Sequence, residues 1–344
     1  MSAIGAWLKT RFPIDVDRLR AVTDEPIPGH LKRWWFALGG TPAYLFAVQI
    51  VTGILLLFYY VPEPGRAYDS VAEITSGVRF GWWLRSIHKW AATGMIVAVC
   101  LHTIRVFFTG AYRKPRELTW VVGCMLLFAT LTAGLTGYSL VYEQLSYWGT
   151  TVTSNLVAAV PVLGGTLARF LRGGAEVGPA TLTRFFVLHV AIVPGAIATL
   201  AMLHLALVRA HGVTELEPRR GEPRTFPLIP DHVLTELSIA LVLMIALNVL
   251  AILLPAELGE RASPTATPEH IRPEWYFYFA FRWLKLTSLR MGVLGVGVAA
   301  AIMVVWPAID VVLRRLSPRR ELSVLFGAAA VLAVVALTLW EALA

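Results

Sequence analysis

Cysteine is nearly absent from this 344-residue chain. The two that occur, Cys100 and Cys124, both fall inside apolar stretches, so there is no disulfide framework, no CxxCH motif and no cysteine metal cluster. Any redox centre must use other ligands. Charge is scarce as well: 15% of residues are Asp, Glu, Lys or Arg against 57% hydrophobic, which places the chain in the membrane class rather than among water-soluble domains. The apolar runs lack the alternation of barrel strands, and lipid leaves helices as the remaining way to satisfy the backbone. The net charge of +8 is spread between those runs without a continuous basic face, which argues against nucleic acid. The first 28 residues carry Asp15 and Asp17 and lack an apolar h-region, so no cleavable signal is expected, and no internal repeat is evident.

What is present is a series of seven apolar stretches: 34–61, 82–108, 118–141, 183–208, 233–254, 293–312 and 322–343. Each approaches or exceeds the roughly 20 residues that a helix needs to cross a bilayer. They predict an all-α membrane bundle of seven spans, whose two long connections, 142–182 and 255–292, hold interfacial helices on one face. With the N-terminus inside, the cytoplasmic segments collect Lys9, Arg11, Arg18, Arg20, Lys32, Arg33, Arg113, Lys114, Arg116, Arg219, Arg220, Arg224, Arg314, Arg315, Arg319 and Arg320. This is the positive-inside bias, and it puts both long connections outside. The resulting division is an N-terminal cytoplasmic segment 1–33, a four-helix unit 34–211, a cytoplasmic linker 212–232 and a three-helix unit 233–344.

Four histidines lie within spans: His88 and His102 on the second, His189 and His204 on the fourth. Ionisable groups inside a membrane helix are costly and mark function. His88 and His102 are 14 residues apart, which returns within roughly 40° of the same helix face and advances about 21 Å. The spacing of 15 on the fourth span is a looser match, and Pro194 between them can introduce a kink or bulge that absorbs the extra residue. Read as two antiparallel helices, these spans offer two stacked axial pairs, His88 with His189 and His102 with His204, each able to clamp one haem iron from both sides. Bis-histidine ligation leaves no open position and favours electron transfer. Gly39 and Gly53 on the first span, and Gly123 and Gly137 on the third, repeat the spacing of 14 and let a flat macrocycle approach the backbone. Arg85, Arg105 and Arg184 lie near the ligands and suit haem propionates.

With these residues in place the chain resembles cytochrome b of the bc1 and b6f complexes from His30 to the last span. The resemblance is carried by LGG and QIVTG, RSIHKW, GYSL, YWGT, TLTRFF before His189, and PEWY at 273–276. Seven spans, the spacing of 15 and Arg209 five residues past His204 look most like a b6 protein fused to subunit IV. Two departures stand out. Ala37 occupies the place where b6 proteins carry a cysteine for an extra covalent c-type haem, so none is expected. The LPW element after GYS reads Leu140, Val141, Tyr142, and Glu143 comes next.

The resemblance implies two non-covalent haem b groups, with His88/His189 as the outer pair and His102/His204 as the inner pair. It implies quinol oxidation outside, with Glu274 as proton acceptor and Tyr138 and Tyr276 shaping the pocket beside Trp148, Gly149 and Asn155. A plain ion pair of Glu274 with Arg272 or Arg282 is the competing expectation for that carboxylate. Quinone reduction inside points to Arg209, His211 and Asp231, with His232 nearby, although Asp231 equally suits an N-cap. The implied partners are a Rieske iron–sulfur protein, a c-type cytochrome, quinol and membrane lipid, in a homodimeric, proton-translocating complex of the bacterial plasma membrane. A di-haem anchor serving a peripheral dehydrogenase shares the histidines but leaves PEWY unexplained. A cofactor-free transporter with histidine proton relays lacks the matching broken helices.

Overall fold

The computed structural model describes residues 26–29, 39–214, 225–317 and 321–344. His30, most of the segment 1–33, the middle of the linker 212–232, and the basic residues Lys9, Arg11, Arg18, Arg20, Lys32, Arg33, Arg219, Arg220, Arg224, Arg319 and Arg320 lie outside the described residues. The described chain opens with strand β1 (Pro26–Pro28) and continues with α1 (Gly40–Leu57), α2 (Ala67–Ser76), α3 (Gly81–Phe108), α4 (Glu117–Ser139), α5 (Gln144–Ala158) and α6 (Gly164–Arg172). Then come α7 (Pro179–His211), strand β2 (Thr225–Pro227), α8 (Leu228–Leu253), α9 (Tyr278–Leu286), α10 (Leu289–Leu316) and α11 (Leu322–Leu343). The strands form one short antiparallel pair, Ile27 opposite Phe226.

Seven of these helices, α1, α3, α4, α7, α8, α10 and α11, are long and apolar enough to cross a membrane by length and composition. The last coincides with the predicted 322–343. α10 outgrows the predicted 293–312 at both ends, because Arg290, Arg314 and Arg315 continue the helix past the apolar window, where long cationic side chains reach back toward water. α1 stops at Leu57, short of the predicted 61. Both long connections carry helices as expected, α5 and α6 in the first and α9 in the second. They meet at one end of the bundle, where Gln144 N–H donates to Glu260 O at 2.8 Å and Glu143 pairs with Arg261 in an isolated antiparallel bridge. The same end holds α2, a ten-residue amphipathic helix below spanning length whose Ala67, Ser70, Val71 and Ile74 face inward at helical spacing.

Lipid chains are as apolar as leucine, so helix association in a bilayer depends on close packing and polar ties. Leu45, Ile87, Ala91, Leu247 and Ala251 interlock where α1, α3 and α8 meet, with both alanines fully buried. Hydroxyls at these packed surfaces satisfy themselves on the preceding turn: Thr130 donates to Leu126 O at 2.9 Å and Ser139 to Leu135 O at 2.9 Å. Two of the later spans, α8 and α10, are tied to the first four by indole and guanidinium donors. Trp83 Nε1 reaches Asn248 Oδ1 at 3.0 Å, Trp120 Nε1 reaches Met303 O at 2.8 Å, and Arg113 Nε pairs with the buried Asp310 at 3.0 Å.

Candidate functional site

The histidines of α3 and α7 meet in two layers. The ring centres of His88 and His189 are 6.2 Å apart, and those of His102 and His204 are 6.4 Å apart. Metal–imidazole nitrogen bonds are about 2 Å long and a ring nitrogen lies about 1.1 Å from the ring centre, so two imidazoles facing one ion hold their centres roughly 6.3 Å apart. Both pairs fit that span. The pairing also corrects the expected helix direction: residues 88 and 102 meet 189 and 204 in the same order, so α3 and α7 run parallel. Only α4 crosses between them, and one crossing returns the chain to the end from which α3 started.

The spacing of 15 is absorbed where Pro194 predicts it. Residues Leu188–Ile192, which include His189, form a π-helical turn, and Val193 N–H reaches back to Leu188 O. A wide turn takes up one residue without rotating the remainder of the helix, which resumes at Val193 with Pro194 in its first turn, where a proline lacks nothing.

Four glycines register with the four imidazoles. A methyl carbon built on Gly53 would lie 3.4 Å from His88 Cε1, on Gly123 3.4 Å from His204 Cε1, on Gly39 3.9 Å from His102 Cε1 and on Gly137 2.6 Å from His189 Cε1. Each layer therefore has a glycine of α4 on one side, and on the other a glycine of α1 or of the turn leading into it, the cradle a flat ring needs. At the His88/His189 layer, two threonines orient the imidazoles. Thr52 Oγ1 donates to Val48 O at 2.7 Å and lies 2.8 Å from His88 Nδ1. Thr136 Oγ1 donates to Thr132 O at 2.8 Å and lies 3.2 Å from His189 Nδ1. With each hydroxyl proton given to a carbonyl, each threonine oxygen is free to accept from the facing Nδ1–H, the tautomer that leaves both Nε2 lone pairs for a metal.

The same layer opens on a cavity of about 310 Å³. Its wall includes His88, His189, Gly53, Gly137, Arg85, Lys89, Tyr138, Glu143, Glu274 and Tyr276. PEWY reaches it because Trp275–Phe277 turns in a short 3-10 helix ahead of α9. Burial lifts the Glu274 carboxyl above the ordinary carboxylate range; Lys89 opposes that rise and Glu143 adds to it. Burial, with the Glu274 charge beside it, pushes the Tyr276 phenol up too. The expected partners of Glu274 are engaged elsewhere: Arg272 and Arg282 approach the fully buried Glu341 of α11 at 4.0 and 3.5 Å, and Lys285 binds it at 2.7 Å. In α5, Gly149 packs beneath the Tyr138 ring, Trp148 stacks edge-on with Tyr147, and Asn155 Oδ1 accepts from Arg172 at 2.6 Å.

The three arginines differ. Arg85 lines the cavity and donates to Ala256 O and Glu257 O, each at 2.7 Å. Arg105 Nη2 lies 3.2 Å from His102 Nδ1. Arg184 donates to the carbonyls of Arg169 and Phe170 and lies over the Phe170 ring, so its guanidinium caps α6. At the opposite end of the bundle, Arg209 is exposed on the last turn of α7, His211 O accepts from Arg116 at 3.2 Å, and Asp231 falls in the first turn of α8. His232 there lies 3.9 Å from Glu236, whose carboxylate packs over Gly40. Sequence reasoning missed Thr52, Thr136, Lys89 and Gly134, which lies under the Tyr276 hydroxyl. A threonine beside each glycine of the His88 layer was the available signal: Thr52–Gly53 and Thr136–Gly137 repeat as pairs.

Residues 22–212 match the family model described as cytochrome b/b6/petB, and residues 261–343 match that described as cytochrome b (C-terminal)/b6/petD. Cytochrome b6 of Heliomicrobium gestii is 46% identical over 171 residues, 50% of this chain and 80% of that protein. Cytochrome b6 of Synechococcus sp. (strain JA-3-3Ab) is 42% identical over 180 residues, 52% of this chain and 83% of that one. A solved chain of a "Hyperthermophilic respiratory Complex III" superposes with a TM-score of 0.86 at 28% identity, covering 98% of this chain and 91% of that chain. The chain belongs to the cytochrome b/b6 family, as a b6-like part and a subunit IV-like part joined in one polypeptide.

Proposed function

We propose that this protein is the membrane subunit of a bc1/b6f-type complex that oxidises quinol at the end of the bundle carrying PEWY, reduces quinone at the other end, and couples the two to proton translocation. The carrying observation is that Glu274 and the His88/His189 pair open on one cavity. When bound, two b-type haems supply one-electron transfer across the membrane, while a Rieske iron–sulfur partner takes the other electron of each quinol and passes it to a c-type cytochrome.

The chain's own residues hold, orient and deprotonate. His88 with His189 and His102 with His204 would hold the two haem irons through their ring nitrogens, and Gly39, Gly53, Gly123 and Gly137 leave room for the rings. Arg85 and Arg105 offer charge to propionates. Glu274 accepts a proton from quinol: its raised affinity for protons makes it a better base than an exposed carboxylate. Tyr138 and Tyr276 shape the pocket around the quinol ring, and Arg209, His211 and Asp231 serve the quinone at the other end.

The division at 34–211 and 233–344 reflects a haem-holding unit and a unit that brings PEWY to it. The outer cavity faces away from the cytoplasm of a bacterial plasma membrane, the N-terminus lies inside, and the complex is a homodimer. The test is purification of the native complex from membranes. Two b-type signals in a reduced-minus-oxidised spectrum, quinol-dependent cytochrome c reduction and a co-purifying Rieske protein are expected. A dehydrogenase subunit in place of the Rieske protein would overturn the reading.

A further inference from the structure

Glu143 is unused in the function above, yet it stands in the same cavity wall as Glu274. It belongs to the segment that departs from the family pattern, and the backbone there is specially shaped. Tyr142 adopts a left-handed conformation with φ of 56°, which only a turn of this kind asks of a bulky residue, and Glu143 comes after it in extended form as the N-cap of α5. Its Oε2 accepts from Gly259 N–H at 2.6 Å. Glu260 and Arg261, beside Gly259, are exposed. Glu143 thus touches the water-facing 257–261 edge while lining the cavity.

We propose that Glu143 is the proton-exit group of the quinol cavity, taking the proton that Glu274 has removed from quinol and releasing it to water at the 257–261 edge. The inference rests on the reading of Glu274 as the acceptor. A half-buried carboxyl loaded once per turnover must unload before the next quinol, and a second carboxylate in the same wall, tied to the water-facing edge, supplies the path. Only O–H bonds change: Glu274 loses a proton to the Glu143 carboxylate, which passes it to water, and no electron moves. The charged neighbours favour the direction. Lys89 faces Glu274 and favours its anionic form, so it promotes unloading. Arg85, anchored on Ala256 and Glu257 carbonyls, lies within the field of Glu143. Glu257 and Glu260 add negative charge at the exit, Arg261 is paired with Asp69, and Tyr60, Tyr138 and Tyr276 complete the titratable wall.

Glu143→Gln tests this, because the amide oxygen still accepts from Gly259 N–H while the side chain no longer carries a proton. In the assembled complex, quinol turnover of Glu143→Gln is expected to fall at least about ten-fold with KM unchanged, both haem signals intact and a larger solvent deuterium isotope effect. Combining it with Glu274→Gln should add less than about two-fold beyond the slower single variant, since both lie on one path. Wild-type turnover of Glu143→Gln beside a slow Glu274→Gln overturns the exit role alone, as do losses that multiply in the double variant. Wild-type turnover of Glu274→Gln overturns the acceptor reading and the exit role together.

Discussion

Gly137 of α4 sits so close to His189 that a methyl group on it would lie 2.6 Å from Cε1, inside any permitted contact. The matching approach of Gly39 to His102 leaves 3.9 Å, an ordinary van der Waals distance. Gly137→Ala should therefore displace the imidazole as well as fill the cradle and lower occupancy of that one haem steeply, whereas Gly39→Ala fills the cradle without touching the imidazole and should lower occupancy of the other haem by less. Haem content per chain, read from the pyridine haemochrome together with the two b-type bands, checks the contrast; equal loss in both variants would contradict it.

Glu274→Gln should slow quinol oxidation by about 100-fold with both haems bound, since it removes the base and keeps the shape. The sign of the pH dependence comes from the raised pKa. As the proposed proton acceptor Glu274 would work as the carboxylate, which is populated above its pKa, so turnover should fall as pH drops through a value above the ordinary carboxylate range. The Gln variant should lack that limb, which a pH–rate profile of the two complexes resolves.

Thr52→Val deletes the oxygen 2.8 Å from His88 Nδ1 while keeping the volume of the side chain. Partners of this kind set ligand basicity and ring orientation. A potentiometric titration should show one b-type signal moving in midpoint and the other staying in place. Unmoved potentials would remove Thr52 from that role.

Asp310→Asn weakens the buried contact that joins α10 to Arg113 and to Ser323. Arg113 is one-third exposed, so the loss is screened, and about 1–3 kcal/mol is expected. Thermal melting of the purified complex should shift downward without a change in the haem bands.

Helix positions, the two histidine layers and their glycines were legible because membrane spans repeat every 3.6 residues and glycine at a spacing of 14 is visible by eye. The loop ties were not. Nothing in the local sequence says that Arg272 and Arg282 face Glu341 on the final span, since that partner is more than fifty residues away. α2 escaped notice because ten residues cannot span a bilayer, although its inward face has helical period. The direction of α7 against α3 is set by the single crossing of α4 between them, which the histidine spacing alone does not carry. The threonine oxygens were hidden by their ordinary role of bonding the preceding turn, which they play here as well.

The wide turn at Leu188–Ile192 and the proline just beyond it are mutually dependent. Shortening the turn by one residue would match the stride of α3, but the pyrrolidine ring would then press on the carbonyl one turn earlier. Replacing the proline alone would leave a surplus residue with no steric reason to remain looped out, and the lower part of α7 could screw round by about a third of a turn, carrying His204 off its axis. Loss of either feature should therefore be mended by loss of the other, and a chain lacking both would still set two histidine pairs at the same two heights.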